Sequence, residues 1–586
     1  MDLFEYVWLT SFQITKKKHE EVKIQLRDDI KYPSLGKEKR GYVICVAKPK
    51  RRKDGRINYL GFLFDPTNDW HKRLLWQTFK ASVFHLSMHV AASEYEAYAD
   101  WAQDKNADLA TFIVSMLEDT VVRAGLKTLW VPFVNDVAVA DTLSYLRMKP
   151  MHLIADPSLR YMASLLSYYT TGMVKGNAPA NMQIDLFNIV HDLNEIQKVV
   201  QNEFRKVSTF ELDENLSRQV MDLSLMQRLA TAGVMYEAVM KHGESSETPS
   251  LLYAENHGSD SIFYGNSIPS EQEFEEHLRG AQGALQLSPS SKEAQLLLKK
   301  SLDSEASQVF STWESKEAAE KKILEIYKIL GNGLRFRSYE FPKEDFSEYI
   351  FARAAVSSPI RRVLDKLRLL KNLTGEDYRH EMGSLDMQEA IQVVASKSQR
   401  TDVFVRDELQ SREDTWAILI DASHSLASFT GEIRGITLCL TEVARSLFPN
   451  QNAWSAFAFN DKFYIVKDFT ENYNNRTRAR IGGLGQGGMT YLPDALMLTA
   501  QALKKRTEES KLMVVVSDFF PSGNVGAEEA LRTCVKKIEN SSIGVIGIGV
   551  QSRAVKSYFR INCVVNDPFE LMKKFVNAFF EFSALA

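Results

Sequence analysis

Asp421, Ser423 and Ser425 form a D-x-S-x-S step, Thr490 stands just before a helix start, and Asp518 follows a run of β-branched residues. Carboxylates and hydroxyls without a thiolate are hard donors, and they suit a magnesium-like ion that prefers oxygen, octahedral geometry and retained water. His424, between the two serines, reads as an exposed residue. A second set lies far upstream. His85 and His89 are four residues apart on one helical face, the spacing of zincin ligands, and Glu118 on a later helix offers a third ligand for Zn²⁺. A zincin also needs glutamate directly after its first histidine to activate water, and this chain has Leu86 there. Three readings of the pair stay open: structural histidines, a metal-binding or vestigial site, and a zincin-like metallohydrolase.

The elements that must position the first set are legible. Short continuous apolar runs at residues 416–420, 454–459, 463–466, 512–516 and 543–550 read as strands, with helical patterns at 433–447, 493–505 and 527–538 between them. Apolar strands spaced by helices predict a doubly wound, Rossmann-like α/β domain, mainly parallel and covered on both faces. Ligands in such sheets collect beyond the carboxyl ends of the strands, where Asp421 and Asp518 fall. Residues 483–488 (Gly-Leu-Gly-Gln-Gly-Gly) fit G-x-G-x-x-G in letters only, since no apolar strand precedes them. Their glycines read as freedom around Thr490, and the sequence has no G-x-x-x-x-G-K-[ST] run to make the chain itself an NTPase.

The remainder reads as a mainly helical N-terminal domain over 1–241, with a β-hairpin at 41–64 whose tip carries Lys48 to Arg56 around Asp54-Gly55. Residues 242–270, rich in Gly, Ser, Glu, Asn and Pro, read as a linker or mobile loop. Residues 271–402 form a charged helical bridging arm, and the α/β domain occupies 403–586.

Composition excludes several classes. In 586 residues, 45% hydrophobic and 25% charged, there is material for more than one sizeable core and none of the bias of a disordered chain. A net charge of −3 gives no general pull toward nucleic acid or an anionic membrane, and the one concentrated basic stretch, 48–56, lacks an ordered set of stacking aromatics, so no nucleic-acid partner is expected. Cys45, Cys439, Cys534 and Cys563 are too scattered for a disulfide framework. The sequence opens with acids where a signal peptide needs cations, and no run is long enough to insert in a bilayer, which places the expected location in the cytoplasm.

The order Asp421, Ser423, Ser425, Thr490, Asp518 resembles the metal-ion-dependent adhesion site (MIDAS) of von Willebrand factor A (VWA) domains. The resemblance implies Mg²⁺, or Mn²⁺ or Ca²⁺ in its place, bound through the hydroxyls of Ser423 and Ser425. Thr490 would bind directly or through water, Asp421 and Asp518 would act from behind, and one position would be left for a partner's carboxylate. Upstream, the basic run 359–370, Gly383-Ser-Leu-Asp386 and the extended run 402–406 look like the NorD, CobT and CbbO group of VWA proteins. That likeness implies a non-enzymatic adaptor that joins a MoxR-type AAA+ ATPase to a client enzyme, for maturation, activation or assembly of a metal cofactor. Glu118 to Arg123 also looks like an acidic-then-Arg helix of that group, read as a helix-packing salt-bridge element.

Overall fold

A computed structural model of the chain describes residues 2–38, 41–176, 178, 180–206, 214–255, 258–287, 292–358, 360–362, 375–380, 382, 384–396, 400–408, 414–522 and 526–585. The chain forms two compact units, Met1–Glu317 and Ala318–Ala586. The division falls at 317/318, inside a long helix.

In the first unit α1 (Leu3–Thr15) is followed by β1 (Val22–Arg27), β2 (Ser34–Glu38) and β3 (Gly41–Ala47), then β4 (Lys50–Arg51), β5 (Ile57–Tyr59) and β6 (Phe62–Phe64). The helical body comprises α2 (Asp69–Ala92), α3 (Ala107–Thr128), α4 (Val134–Arg147), α5 (Pro157–Thr171), α6 (Ala180–Arg205), α7 (Glu214–Met240) and α8 (Glu271–Ala284). The long helix α9 (Lys292–Leu330) contains the division. Asn68 caps α2 and Asn106 caps α3, each accepting a backbone N–H of the first turn. Between Arg73 and Ala92 nearly every side chain of α2 is buried, so this helix runs through the core and has no solvent face.

Two expectations for this unit need correction. The run 41–47 does not form one arm of a hairpin with 57–64. It pairs in parallel with β1 and antiparallel with β2, while the turn at Asp54-Gly55 is closed by β4 against β5. The arms 41–47 and 57–64 are both apolar, and periodicity alone cannot say which apolar strands pair. Residues 242–270, read as a linker or mobile loop, are part of the packed body over their described part, because Leu251, Leu252, Tyr253 and Ala254 are buried in the helical core. Polar punctuation on both sides hid a four-residue core segment. The helix α8 belongs to the same core through Phe274 and Ala281, so the expected arm from 271 to 402 is shared between the two units.

The second unit contains β7 (Tyr339–Glu340), α10 (Phe346–Ala355), β8 (Gly375–His380), β9 (Ser384–Leu385), α11 (Met387–Ala395) and β10 (Phe404–Glu408). The series continues with β11 (Asp414–Asp421), α12 (Thr430–Leu447), β12 (Trp454–Phe459), β13 (Phe463–Lys467), α13 (Asn475–Gly482), α14 (Leu492–Lys504) and β14 (Ser510–Ser517). It ends with α15 (Ala527–Glu539), β15 (Ile543–Val550), β16 (Ile561–Val565) and α16 (Pro568–Leu585). Every strand and helix read from the sequence beyond residue 415 is present.

These strands build a seven-stranded sheet in the order β16-β15-β14-β11-β12-β13-β7. It is parallel from β16 through β12, and β13 runs antiparallel to β12. Alternate residues of β11 serve opposite faces, as a pleat requires. Ala417 and Leu419 join a core with α14, α15 and the end of α9. Trp416 faces the other way, with ring centroids 5.2 Å from Phe448 and 5.3 Å from Phe579. Burial on both sides explains why the central strands are apolar throughout. The chain leaves β11 toward β12 on one side and returns to β14 on the other, so the switch point lies between β11 and β14. A small sheet, β8-β10-β9, precedes this layer. Most of the basic run 359–370, and Gly383, lie outside the described residues.

Candidate metal centres

The switch point carries the first cluster. Asp421 ends β11 and is buried; its Oδ1 accepts the Ser423 backbone N–H at 2.9 Å and its Oδ2 accepts the Ser517 hydroxyl at 2.5 Å. Both carboxylate oxygens are thus engaged by the protein, and the hydrogen bond to Ser423 folds the loop back so that Ser423 Oγ and Ser425 Oγ stand 3.0 Å apart. Ser423 is buried and Ser425 is exposed, so the pair faces outward from the sheet end.

The other loops are tied in through backbone. Gly487 N–H donates to Ala422 O at 2.8 Å and His424 N–H to Gly488 O at 3.1 Å, which holds the 483–490 turn against the Asp421 loop. Gly488 takes φ +75° there, and a Cβ would sit 2.3 Å from Asp461 Oδ1, so glycine is required both by conformation and by space. Thr490 is buried, with its N–H on Ser522 Oγ at 2.8 Å, which links it to the loop after β14. In that loop Ser517 Oγ accepts Phe519 N–H at 2.9 Å and Asp518 Oδ1 accepts Phe520 N–H at 3.1 Å. Burial pushes the Asp421 carboxyl up to about 7; hydrogen bonds from Ser517 and Ser423 oppose this, and the charge of Asp518 adds to it. A buried carboxylate whose charge is disfavoured at the mouth of a sheet marks a place where a cation would be stabilising.

Sequence reasoning named five residues here and missed Ser517, whose hydroxyl fixes Asp421 from the adjacent strand. Its only signal was its position next to Asp518.

The second cluster lies in the first unit, and the structure changes its membership. Glu118 is not a partner of the histidines. It is fully buried against Arg228 of α7 at 2.5 Å and accepts the Tyr98 hydroxyl at 2.6 Å. Arg123, one turn on, pairs with Asp141 of α4 at 2.7 Å, so Glu118 and Arg123 do pack helices as the acidic-then-Arg pattern implied. Asp119, the next residue, turns toward the histidines instead, with Oδ1 at 3.2 Å from His89 Nε2 and 3.4 Å from His85 Nε2. The fourth member is Glu255, from the segment read as linker. Its Oε2 is 2.8 Å from His85 Nε2 and 3.2 Å from His89 Nε2. The two histidine nitrogens are 3.1 Å apart.

Burial disfavours charge on His89, but Glu255 and Asp119 outweigh it and raise its pKa to about 10. Glu255 is correspondingly held well below the usual carboxylate range: burial opposes this, and His89 and His85 prevail. Nothing in the local sequence around 255 marks it as a ligand.

Residues 433–582 match the family described as the cobalamin biosynthesis protein CobT VWA domain. The second unit carries a VWA domain of the CobT type. The matched span includes Thr490 and Asp518 of the VWA domain and begins after its Asp421 to Ser425 loop. Among solved structures the chain is similar to the manganese-loaded TRAP protein of Plasmodium vivax, at 17% identity and a TM-score of 0.21, over 28% of this chain and 74% of that one. No curated protein matches it significantly. Among the described residues no helix is long and apolar enough to cross a membrane.

Proposed function

We propose that the VWA domain is a metal-dependent docking module, with Ser423, Ser425 and Thr490 as the direct oxygen donors and Asp421 and Asp518 behind them. The observation that carries this reading is the pair of serine hydroxyls at 3.0 Å. Adjacent ligands of an octahedral ion with bonds of 2.0–2.1 Å lie about 2.9 Å apart, so the two oxygens already span one edge of a Mg²⁺ octahedron. Asp421 is committed by its own hydrogen bonds to orienting Ser423, in keeping with a role behind the ligands. When bound, Mg²⁺ or a similar divalent ion with few anionic ligands would supply an electron-poor position for a partner's carboxylate.

The wider reading is an adaptor without catalysis of its own, which couples a MoxR-type AAA+ ATPase to the maturation, activation or metal-cofactor assembly of a client enzyme. It is supported by the CobT-type VWA domain and by the absence of a P-loop from the sequence. Pull-down of the full chain with the cognate AAA+ protein tests it. Asp421→Ala, Ser423→Ala and EDTA should each abolish association, and a complex indifferent to all three would end the docking idea. A scaffold whose ion is irrelevant to binding would instead lose thermal stability in a Thr490→Ala variant with partner affinity intact.

A further inference from the structure

We infer that His85, His89, Asp119 and Glu255 bind one zinc ion in a buried, four-coordinate site that fastens α2 and α3 to the segment around residue 255. The inference is independent of the docking role of the VWA domain.

The four ligand atoms form a cage of zinc dimensions. Zinc bonds of 2.0–2.1 Å at tetrahedral angles separate neighbouring ligand atoms by about 3.3 Å. The observed separations run from 2.8 Å for His85 to Glu255, through 3.1 Å between the two Nε2 atoms, to 3.4 Å for His85 to Asp119. The remaining pair, Asp119 with Glu255, is within 4.8 Å. A hydrogen-bonded chain would pair donors and acceptors in sequence. Here both imidazole Nε2 atoms face both carboxylates and also each other, which is the arrangement of ligands around a common centre.

The donor set fits the same ion. Two imidazoles and two carboxylates suit zinc, whereas Mg²⁺ and Ca²⁺ take more ligands and prefer oxygen alone. All four side chains are nearly inaccessible, at 4% for His85, 0% for His89, 5% for Asp119 and 3% for Glu255. Such burial of two acids and two bases is costly unless their charges are compensated in place.

An outer layer of hydrogen bonds holds the ligands in place. His89 Nδ1 meets Ser93 Oγ at 2.8 Å and the Tyr95 hydroxyl at 3.0 Å, and that hydroxyl also reaches the second oxygen of Glu255 at 3.3 Å. These contacts fix the ring and the carboxylate so that Nε2 and Oε2 point inward, as supporting residues of metal ligands do. A cavity of about 370 Å³ has Asp119 and Glu255 in its wall, which supplies an entry path. With four protein ligands and Leu86 in place of a base, the site is structural.

Metal analysis of the purified full chain tests this. The expected result is about one zinc per chain, reduced at least tenfold by His89→Ala and by Asp119→Asn and unchanged in Asp421→Ala. Cobalt(II) loaded into the zinc-stripped protein should give the strong visible absorption of a four-coordinate ion, a readout that needs no variant to fold. Absence of stoichiometric zinc after incubation with excess metal and dialysis would overturn the inference. So would zinc retained in both ligand variants, or the weak spectrum of six-coordinate cobalt.

Discussion

His85 and Glu255 are separated by 170 residues in the chain and by 2.8 Å between Nε2 and Oε2. One lies on a helix buried on all sides, and the other on a segment whose composition reads as a linker or mobile loop. Their meeting makes the region around residue 255 part of the core of the first unit.

The neighbours Glu118 and Asp119 should separate in experiment. Glu118→Gln removes the carboxylate charge 2.5 Å from the buried Arg228 guanidinium, and breaking one side of such a pair costs about 3 kcal/mol. The unfolding transition of the first unit should fall accordingly while bound zinc is unchanged. Calorimetry with metal analysis on the same sample reads both.

Ser517→Ala removes the hydroxyl that fixes Asp421 and accepts Phe519 N–H. Supporting residues of this kind are worth about 10–100-fold in metal affinity, and Mg²⁺ titration of the full chain should show a loss in that range with the fold retained.

Gly488→Ala places a Cβ at 2.3 Å from Asp461 Oδ1 and forces a side chain into φ +75°. The strain is about 1–3 kcal/mol. Because the turn also carries Thr490, partner affinity in Mg²⁺ should fall along with the thermal transition of the VWA domain.

Burial lowers Lys127 from 10.5 to about 8, and Arg123 adds to the shift. The folded state therefore binds fewer protons than the unfolded state between about pH 8 and 10.5, and stability from this group rises with pH across that window. Lys127→Met should be more stable than the parent at pH 7, and the advantage should shrink as pH approaches 10. Paired denaturation curves at several pH values measure the difference.

The VWA domain could be read from the sequence because its chemistry and its periodicity agree. Apolar runs of strand length end in Asp421 and Ser517, and parallel sheets place ligands at such ends. The edge strand β7 was missed, since two residues carry no period. In the first unit, α2 is buried all round, so its pattern has no phase and cannot say which side of α3 it meets. Hence the sequence alone does not separate Glu118 from Asp119 as the third ligand. Glu255 was invisible for a further reason: ligands brought together by tertiary folding leave no spacing in the chain.

The central claim is an ion seated between the β11 loop and the Thr490 turn. A crystal of the full chain grown in magnesium tests it most directly. The account requires six-coordinate density bonded to Ser423 Oγ and Ser425 Oγ, with Asp421 still held by Ser517. A void there, with the two serine hydroxyls hydrogen-bonded only to each other, would contradict it.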